Sequence, residues 1–256
     1  MAAVGNFVWL DLETPDPERA MGFYAELMGW RIQEGDMGGQ PYNMFMVGDT
    51  HVGGVMKLPP ELQAQGVPPH WLSYIFVKSA DDTARRIEQL GGRTIVPPTD
   101  IPNIGRFSIH TDPQGAAFAL FQARDASQMT VPRGPGYPCW FELTTSDHHA
   151  AKAFYTQIAG FIHNETNDMG EMGTYETFKA SDPSGPPIVG MWTAPKGYPA
   201  PPNWLPYFEV ADLDAACDRV RSLGGKIVNG PMEVPDGSRV AQCIDSTGAA
   251  FGLNQR

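Results

Sequence analysis

Two short segments place an acid two residues after a tryptophan: Trp9 with Asp11, and Trp140 with Glu142. The first lies in the run Phe7-Val-Trp-Leu-Asp-Leu-Glu13, whose alternation predicts a strand. Side chains on a strand repeat every two residues. Trp9 therefore shares a face with Asp11 and Glu13, and Trp140 with Glu142 and Thr144. A second pair of strands carries Leu72, Tyr74 and Phe76 on one face in one case, and Leu205, Tyr207 and Glu209 in the other. A carboxylate buried in apolar surroundings has a raised pKa and can act as a general acid or base. A phenol beside it can give or accept a hydrogen bond. The alternative is that these acids face solvent at a sheet rim, or pair with Arg106 and Arg239. Tyr42 and Phe45 return as Tyr175 and Phe178. Their three-residue spacing puts the members of each pair on opposite faces, one toward a cavity and one toward the core.

These pairs are part of a longer duplication. Trp71-Leu-Ser-Tyr74 returns as Trp204-Leu-Pro-Tyr207, and Gly115-Ala-Ala-Phe118 as Gly248-Ala-Ala-Phe251, both at an offset of 133 residues. Trp9, Leu12, Asp16, Phe23, Tyr24 and Gly29 return at an offset of 131 as Trp140, Leu143, Asp147, Phe154, Tyr155 and Gly160. A nearly constant offset along 256 residues means tandem duplication of a domain-sized unit. Residues 125–136 hold Asp125, Ser127, Pro132, Gly134, Pro135 and Gly136, lack periodicity and read as the linker. The expected domains are 1–124 and 137–256, each able to bury its own core. Each divides again, into modules 1–60 and 68–124, and 137–195 and 202–256.

Each module reads as strand, helix and three strands. Asp16-Pro17 starts a helix, since Asp caps well and Pro suits the first turn. Ala20, Phe23, Tyr24 and Leu27 give it an apolar stripe, and Gly29 stops it. Strands follow near 30–34, 42–47 and 51–58. In the second module, a strand at 71–77 and a helix at 80–90, stopped by Gly91-Gly92, precede strands near 93–96, 105–110 and 116–121. The Pro-rich loops 59–69 and 195–206 could close over a site or serve as stiff crossovers.

The net charge of −11 argues against nucleic acid as a partner. No apolar run approaches the ~18 residues of a membrane span, and the N-terminus lacks the basic and apolar regions of a signal peptide. Cys139, Cys217 and Cys243 form no CxxC pair and read as buried thiols of a reducing cytoplasm. The six histidines do not repeat between halves, and none sits in an HxH or HExxH pattern. His148-His149, at a helix start, is expected to face solvent. No nucleotide-cofactor or serine-hydrolase signature is present, so no cofactor is implied.

The element order and its punctuation resemble the vicinal oxygen chelate superfamily, which includes glyoxalase I, extradiol dioxygenases and bleomycin-binding proteins. The residues that carry the resemblance are Asp16, Phe23-Tyr24, Gly29, Leu90-Gly91-Gly92, Gly105-Arg106 and Asp112-Pro113-Gln114-Gly115. Their second-half counterparts are Asp147, Phe154-Tyr155, Gly160, Leu223-Gly224-Gly225, Arg239 and Asp245-Ser246-Thr247-Gly248. The resemblance implies an α+β fold: a tandem repeat of two domains, each of two βαβββ modules forming a curled mixed sheet, a cup flanked by helices. Family metals are held by His, Glu or Gln on the first and last strands of a module. By landmark those positions are Trp9, Leu72 and Gln122 in one half and Trp140, Leu205 and Gln255 in the other, with Met56 and Trp192 on the last strand of the first modules. Tryptophan, leucine and methionine cannot replace such ligands, and one Gln oxygen does not hold a metal alone. The expected metal complement of the cups is none.

The resulting expectation is an apolar cup that binds or transforms a small organic ligand. Asp11 with Tyr74, and Glu142 with Tyr207, are the candidate acid–base pairs. Trp9, Met56, Leu72, Gln122, Trp140, Trp192, Leu205, Glu209 and Gln255 are the candidate lining. Two alternatives stand beside it: a metal-dependent glyoxalase-like lyase or dioxygenase, and one degenerate half serving as scaffold or interaction surface. The oligomeric state is left open.

Overall fold

The computed structural model describes residues 2–36, 38–39 and 41–256. The first half runs β1 (Phe7–Thr14), α1 (Pro17–Met28), β2 (Arg31–Gln33), β3 (Asn43–Val47), β4 (Thr50–Lys57), α2 (Pro60–Ala64), β5 (His70–Phe76), α3 (Ala80–Gln89), β6 (Arg93–Ile101), β7 (Gly105–Thr111) and β8 (Ala117–Ala123). The second half runs β9 (Pro138–Thr145), α4 (His148–Ala159), β10 (Ile162–Asp168), β11 (Thr174–Lys179), β12 (Pro187–Thr193), β13 (Asn203–Glu209), α5 (Leu213–Ser222), β14 (Lys226–Glu233), β15 (Arg239–Ile244) and β16 (Ala250–Gln255).

The helix boundaries follow from local chemistry. Asp16 accepts the Arg19 N–H ahead of Pro17, and Gly29 closes α1 in the left-handed region at φ 69°. Asp147 accepts the His149 and Ala150 N–H groups and opens α4, which Gly160 closes in the same way. The helix α2 lies inside the Pro-rich loop that the sequence suggested as a lid or crossover. The strand β6 continues through Pro97 and Pro98, which a strand tolerates at the edge of a sheet.

The described residues form two sheets of eight strands, in the orders β2-β3-β4-β1-β5-β8-β7-β6 and β10-β11-β12-β9-β13-β16-β15-β14. The class is α+β, with two similar halves dominated by mixed sheets. No helix among the described residues is long and apolar enough to cross a membrane.

The chain packs as two units, and each draws on both halves. One contains residues up to Val8 with 73–131 and 140–204; the other contains 9–72, 132–139 and 205–256. The second unit, called here the Trp9 unit, centres on Tyr24 of α1. Its ring lies 5.2 Å from Trp71, 5.5 Å from Phe251 and 5.6 Å from Trp30. The Tyr24 hydroxyl donates to Asp245 Oδ2 and accepts from Trp71 Nε1. The other unit, called here the Trp140 unit, repeats this on Tyr155. That hydroxyl donates to Asp112 Oδ2 and accepts from Trp204 Nε1. Burial first, and then the neighbouring aspartate, holds both phenols well above their ordinary pKa. The duplicated landmarks Phe-Tyr, Trp and Asp-turn thus build the same buried tie twice, joining a module of one half to a module of the other.

Candidate functional site

In the Trp9 unit, β1 alternates as expected. Leu10 and Leu12 are fully buried, while Trp9 and Asp11 meet on the other face. The Trp9 Nε1 donates to Asp11 Oδ1 at 2.9 Å and to the Tyr42 hydroxyl at 2.9 Å. Tyr42 in turn donates to Asp11 Oδ1 at 2.7 Å. Burial, and then the charge of Asp11, pushes the Tyr42 phenol far above its ordinary pKa, which keeps it a donor. The parallel pairing of β1 with β4 sets Asp11 opposite Gly54 and Glu13 opposite Met56. A Cβ at Gly54 would fall on the Tyr42 hydroxyl and the Asp11 carboxylate, so the tyrosine reaches the acid only because this position is glycine. Glu13 is 9% exposed. Burial raises its pKa, His70 opposes the rise and Asp11 adds to it.

The Trp140 unit builds a similar cluster with one more methylene in the acid. Trp140 Nε1 donates to the Tyr175 hydroxyl at 3.0 Å, and Tyr175 donates to Glu142 Oε2 at 2.8 Å. Glu142 lies opposite Gly190, and Trp192 opposite Thr144. A Cβ at Gly190 would fall on the Tyr175 ring. Trp192 Nε1 donates to Thr144 Oγ1 at 3.1 Å, so Trp192 lies on the face of Glu142. Tyr198, from the Pro-rich loop after β12, meets the Trp192 ring edge-on at 5.4 Å. Burial, and then Glu142, raises its pKa.

The phenol partners of the two acids within each unit are therefore Tyr42 and Tyr175. The signal in the sequence was their duplication, but Tyr42 lies 31 residues from Asp11 along the chain. Only strand register brings them together. Phe45 and Phe178 are fully buried, as the three-residue spacing predicts. Asp11 is a paired carboxylate, because two donors hold its Oδ1.

The other proposed residues divide. Tyr74 is buried 6.5 Å from the Phe107 ring, and Leu72 shares its side of β5. Tyr207 is buried against Gly252 and accepts from Gln242 Nε2 at 2.9 Å. Leu205 and Glu209 share its side of β13. Asp11 and Tyr207 fall in the Trp9 unit, Tyr74 and Glu142 in the Trp140 unit. Gln122 Oε1 accepts the Ala80 N–H at 2.9 Å, and Gln255 Oε1 the Leu213 N–H at 3.0 Å. Each glutamine thus caps a helix, which turns it from the face where Tyr74 lies opposite Ala119 and Tyr207 opposite Gly252. The last-strand landmark is off by one residue in side-chain parity. Arg106 donates to Asp81 and Asp100, and Arg239 to Asp214, so both arginines tie strands to carboxylates within the fold. The three cysteines are free thiols, and burial pushes Cys139 and Cys243 up to about 12.

The profile of the Glyoxalase/Bleomycin resistance protein/Dioxygenase superfamily matches residues 6–120 and again 139–253. The chain belongs to this superfamily. It is 32% identical over 247 residues to the protein named "Putative glyoxylase CFP32" of Mycobacterium tuberculosis, spanning 96% of this chain and 92% of that one. It is 30% identical over 262 residues to the anthracycline biosynthesis protein DauV of a Streptomyces species, spanning 98% and 93%. Among solved structures, the 2,3-dioxygenase LapB from Pseudomonas sp. KL28 aligns with a TM-score of 0.69 at 13% identity, covering 100% of this chain and 93% of that one. The Mn(II)-bound glyoxalase from Novosphingobium aromaticivorans aligns at 0.66 and 14%, covering 100% and 83%. At these identities the structures share the fold.

A metal of the kind named in that last structure does not fit the landmark positions here. Trp9, Trp140, Leu72 and Leu205 offer no lone pair, and the Gln122 and Gln255 oxygens are held by helix N-termini. Among the described residues, the only group of three His, Cys, Asp or Glu side chains with converging ligand atoms is His148, His149 and Glu176, elsewhere in the fold.

Proposed function

We propose that the protein binds a small organic ligand on the acid-bearing faces of β1 and β9, without a metal at the landmark positions, and that Asp11 and Glu142 recognise a hydroxyl or amine of that ligand or move a proton to or from it. The observation that supports this reading is the tryptophan–acid–tyrosine cluster, built twice on the strands where relatives of this fold would carry metal ligands. Asp11 and Glu142 are buried, at 4% and 8% exposure. Each is held in place by a phenol, so its orientation is set before a ligand arrives. The aromatic rings beside them offer stacking surface. Tyr207, Leu72, Met56, Leu205 and Glu209 are the further candidate residues in the unit of Asp11, and Tyr74 in the unit of Glu142. A turnover at this site is simple acid–base chemistry on a carbonyl or hydroxyl compound. Because the cluster is intact in both units, we favour two working sites over one degenerate scaffold half. The net charge of −11 and the three free thiols fit a cytoplasmic protein without nucleic acid as a partner.

Differential scanning fluorimetry with a panel of phenols, catechols, aromatic amines and 1,2-dicarbonyls tests the reading. A compound that binds only the folded chain raises the melting temperature. The shift should shrink in Asp11→Asn or Glu142→Gln, with binding weakened by ~1.5–3 kcal/mol for the lost charge-assisted hydrogen bond. Hits that bind equally well to both variants would refute it. So would a stoichiometric ion that stays bound in Glu176→Gln and is lost in Asp11→Asn.

A further inference from the structure

His148, His149 and Glu176 present one ligand atom each, all within 4.8 Å of one another. They lie away from the Glu142 face, because Glu176 follows Tyr175 on β11 and neighbouring strand residues point to opposite sides. Glu176 turns toward α4, where Lys152 Nζ meets its Oε1 at 3.0 Å. The sequence placed His148 in solvent, yet it is 6% exposed, and Glu176 is 5% exposed. The reason is Thr193 at the end of β12. Its Oγ1 takes the His148 backbone N–H at 3.0 Å and lies 2.7 Å from the ring Nδ1. Among the described residues, His148 Nε2 and Glu176 Oε2 are then buried without a hydrogen-bond partner. Leaving both unmet is costly in a folded protein.

We propose that these three side chains form a binding site for a divalent transition metal of the zinc class, independent of the ligand faces on β1 and β9. Two imidazoles and a carboxylate are a donor set that Zn²⁺ and Co²⁺ accept, with water or a further group completing the tetrahedron. A proton on His148 Nδ1, given to Thr193, leaves the Nε2 lone pair for the metal, as ligating histidines arrange it. His149 is exposed, and its ring lies 4.0 Å from that of His148. It can swing in to close the site. Lys152 and, at 3.9 Å, His163 already face Glu176 Oε1, so the ion takes Oε2. Asp147, capping α4 beside the site, offsets the positive end of the helix. The site belongs to one half only. At the corresponding offsets the first half carries Pro17, Glu18 and Asn43, and Asn43 spends its amide on the Gly35 N–H and Met21 Sδ.

The test is calorimetric titration of chelator-treated full-length protein with ZnCl₂, alongside the visible absorption of a CoCl₂ titration. One ion per chain should bind, with the intense cobalt bands of a four-coordinate site. Glu176→Gln and His149→Ala, which keep shape or touch only an exposed ring, should each weaken zinc by more than about tenfold, which is about 1.4 kcal/mol, at unchanged circular dichroism. Lys152→Met, which removes a competing cation and keeps the stem, should tighten it. Absence of stoichiometric binding overturns the proposal. So does zinc affinity unchanged in both ligand variants, or lost instead in Asp11→Asn.

Discussion

The Trp9 and Trp140 clusters share a tryptophan and a tyrosine and differ by one methylene in the acid, and the difference changes how the hydrogen bonds run. In the Trp9 unit the short aspartate lets Trp9 and Tyr42 converge on one oxygen, Oδ1, while also touching each other. In the Trp140 unit the bonds run in series, from Trp140 to the Tyr175 hydroxyl and from there to Glu142. The next inward position widens the gap. Glu13 adds a second buried carboxyl on β1, whereas Thr144 on β9 accepts from Trp192. One scaffold thus carries a more acidic face and a more aromatic one. Two copies of a fold need not select the same ligand, because function rests on such side chains and not on the strand order they share.

The largest expected effect would break what the two units have in common. Each takes a module from each half, and each buries a tyrosine–aspartate bond between them. Residues 1–124 alone would leave Tyr24 and Asp112 without these partners, and residues 137–256 would leave Tyr155 and Asp245. Expressed separately, neither fragment should sediment as a folded monomer, and mixing the two should restore the native circular dichroism and melting curve. Independent folding of each half, as the repeat alone suggests, would show that the crossed packing is dispensable.

Next comes the glycine opposite each acid. Gly54→Ala should push Tyr42 off Asp11, and Gly190→Ala should push Tyr175 off Glu142, each lowering stability by about 1–3 kcal/mol in chemical denaturation. The Gly54 change should be the worse of the two, since its Cβ meets the acid as well as the phenol. The phenols themselves sharpen the contrast between convergence and series. Tyr42→Phe leaves Trp9 bonded directly to Asp11 and should cost about 1 kcal/mol. Tyr175→Phe removes both the acceptor of Trp140 and a donor to Glu142, and should cost about 2 kcal/mol. Equal losses in denaturant titration would erase the distinction.

The smallest effect concerns Glu13. Its pKa is raised in the folded chain, so above the ordinary value of 4.5 the folded state binds more protons than the unfolded one. Its contribution to stability is greatest at low pH and declines as pH rises through the folded pKa. Glu13→Gln should therefore melt higher than the parent at neutral pH and show no gain near pH 4. A matching pH-dependent gain on changing Thr144 to Gln would show that the difference does not come from the carboxyl.

Much of this arrangement is readable along the chain. The repeat, the helix caps at Asp16 and Asp147, the glycine stops and the shared face of Trp9 with Asp11 are local. They rest on side-chain period and on the backbone groups that a helix end leaves open. Tertiary structure decided what depends on register between distant strands and on packing across the duplication. It brought Tyr42 and Tyr175 to the acids through Gly54 and Gly190, and tied Tyr24 to Asp245. It turned Gln122 and Gln255 toward helix ends, against the landmark reading. It buried His148 under Thr193 beside Glu176, where no spacing motif announced a cluster. A one-residue change of parity moves a side chain to the opposite face of a sheet, and partners tens of residues apart carry no local signature. The sequence by itself therefore determined which elements form and which residues alternate. The folded sheets alone determined which of those residues meet.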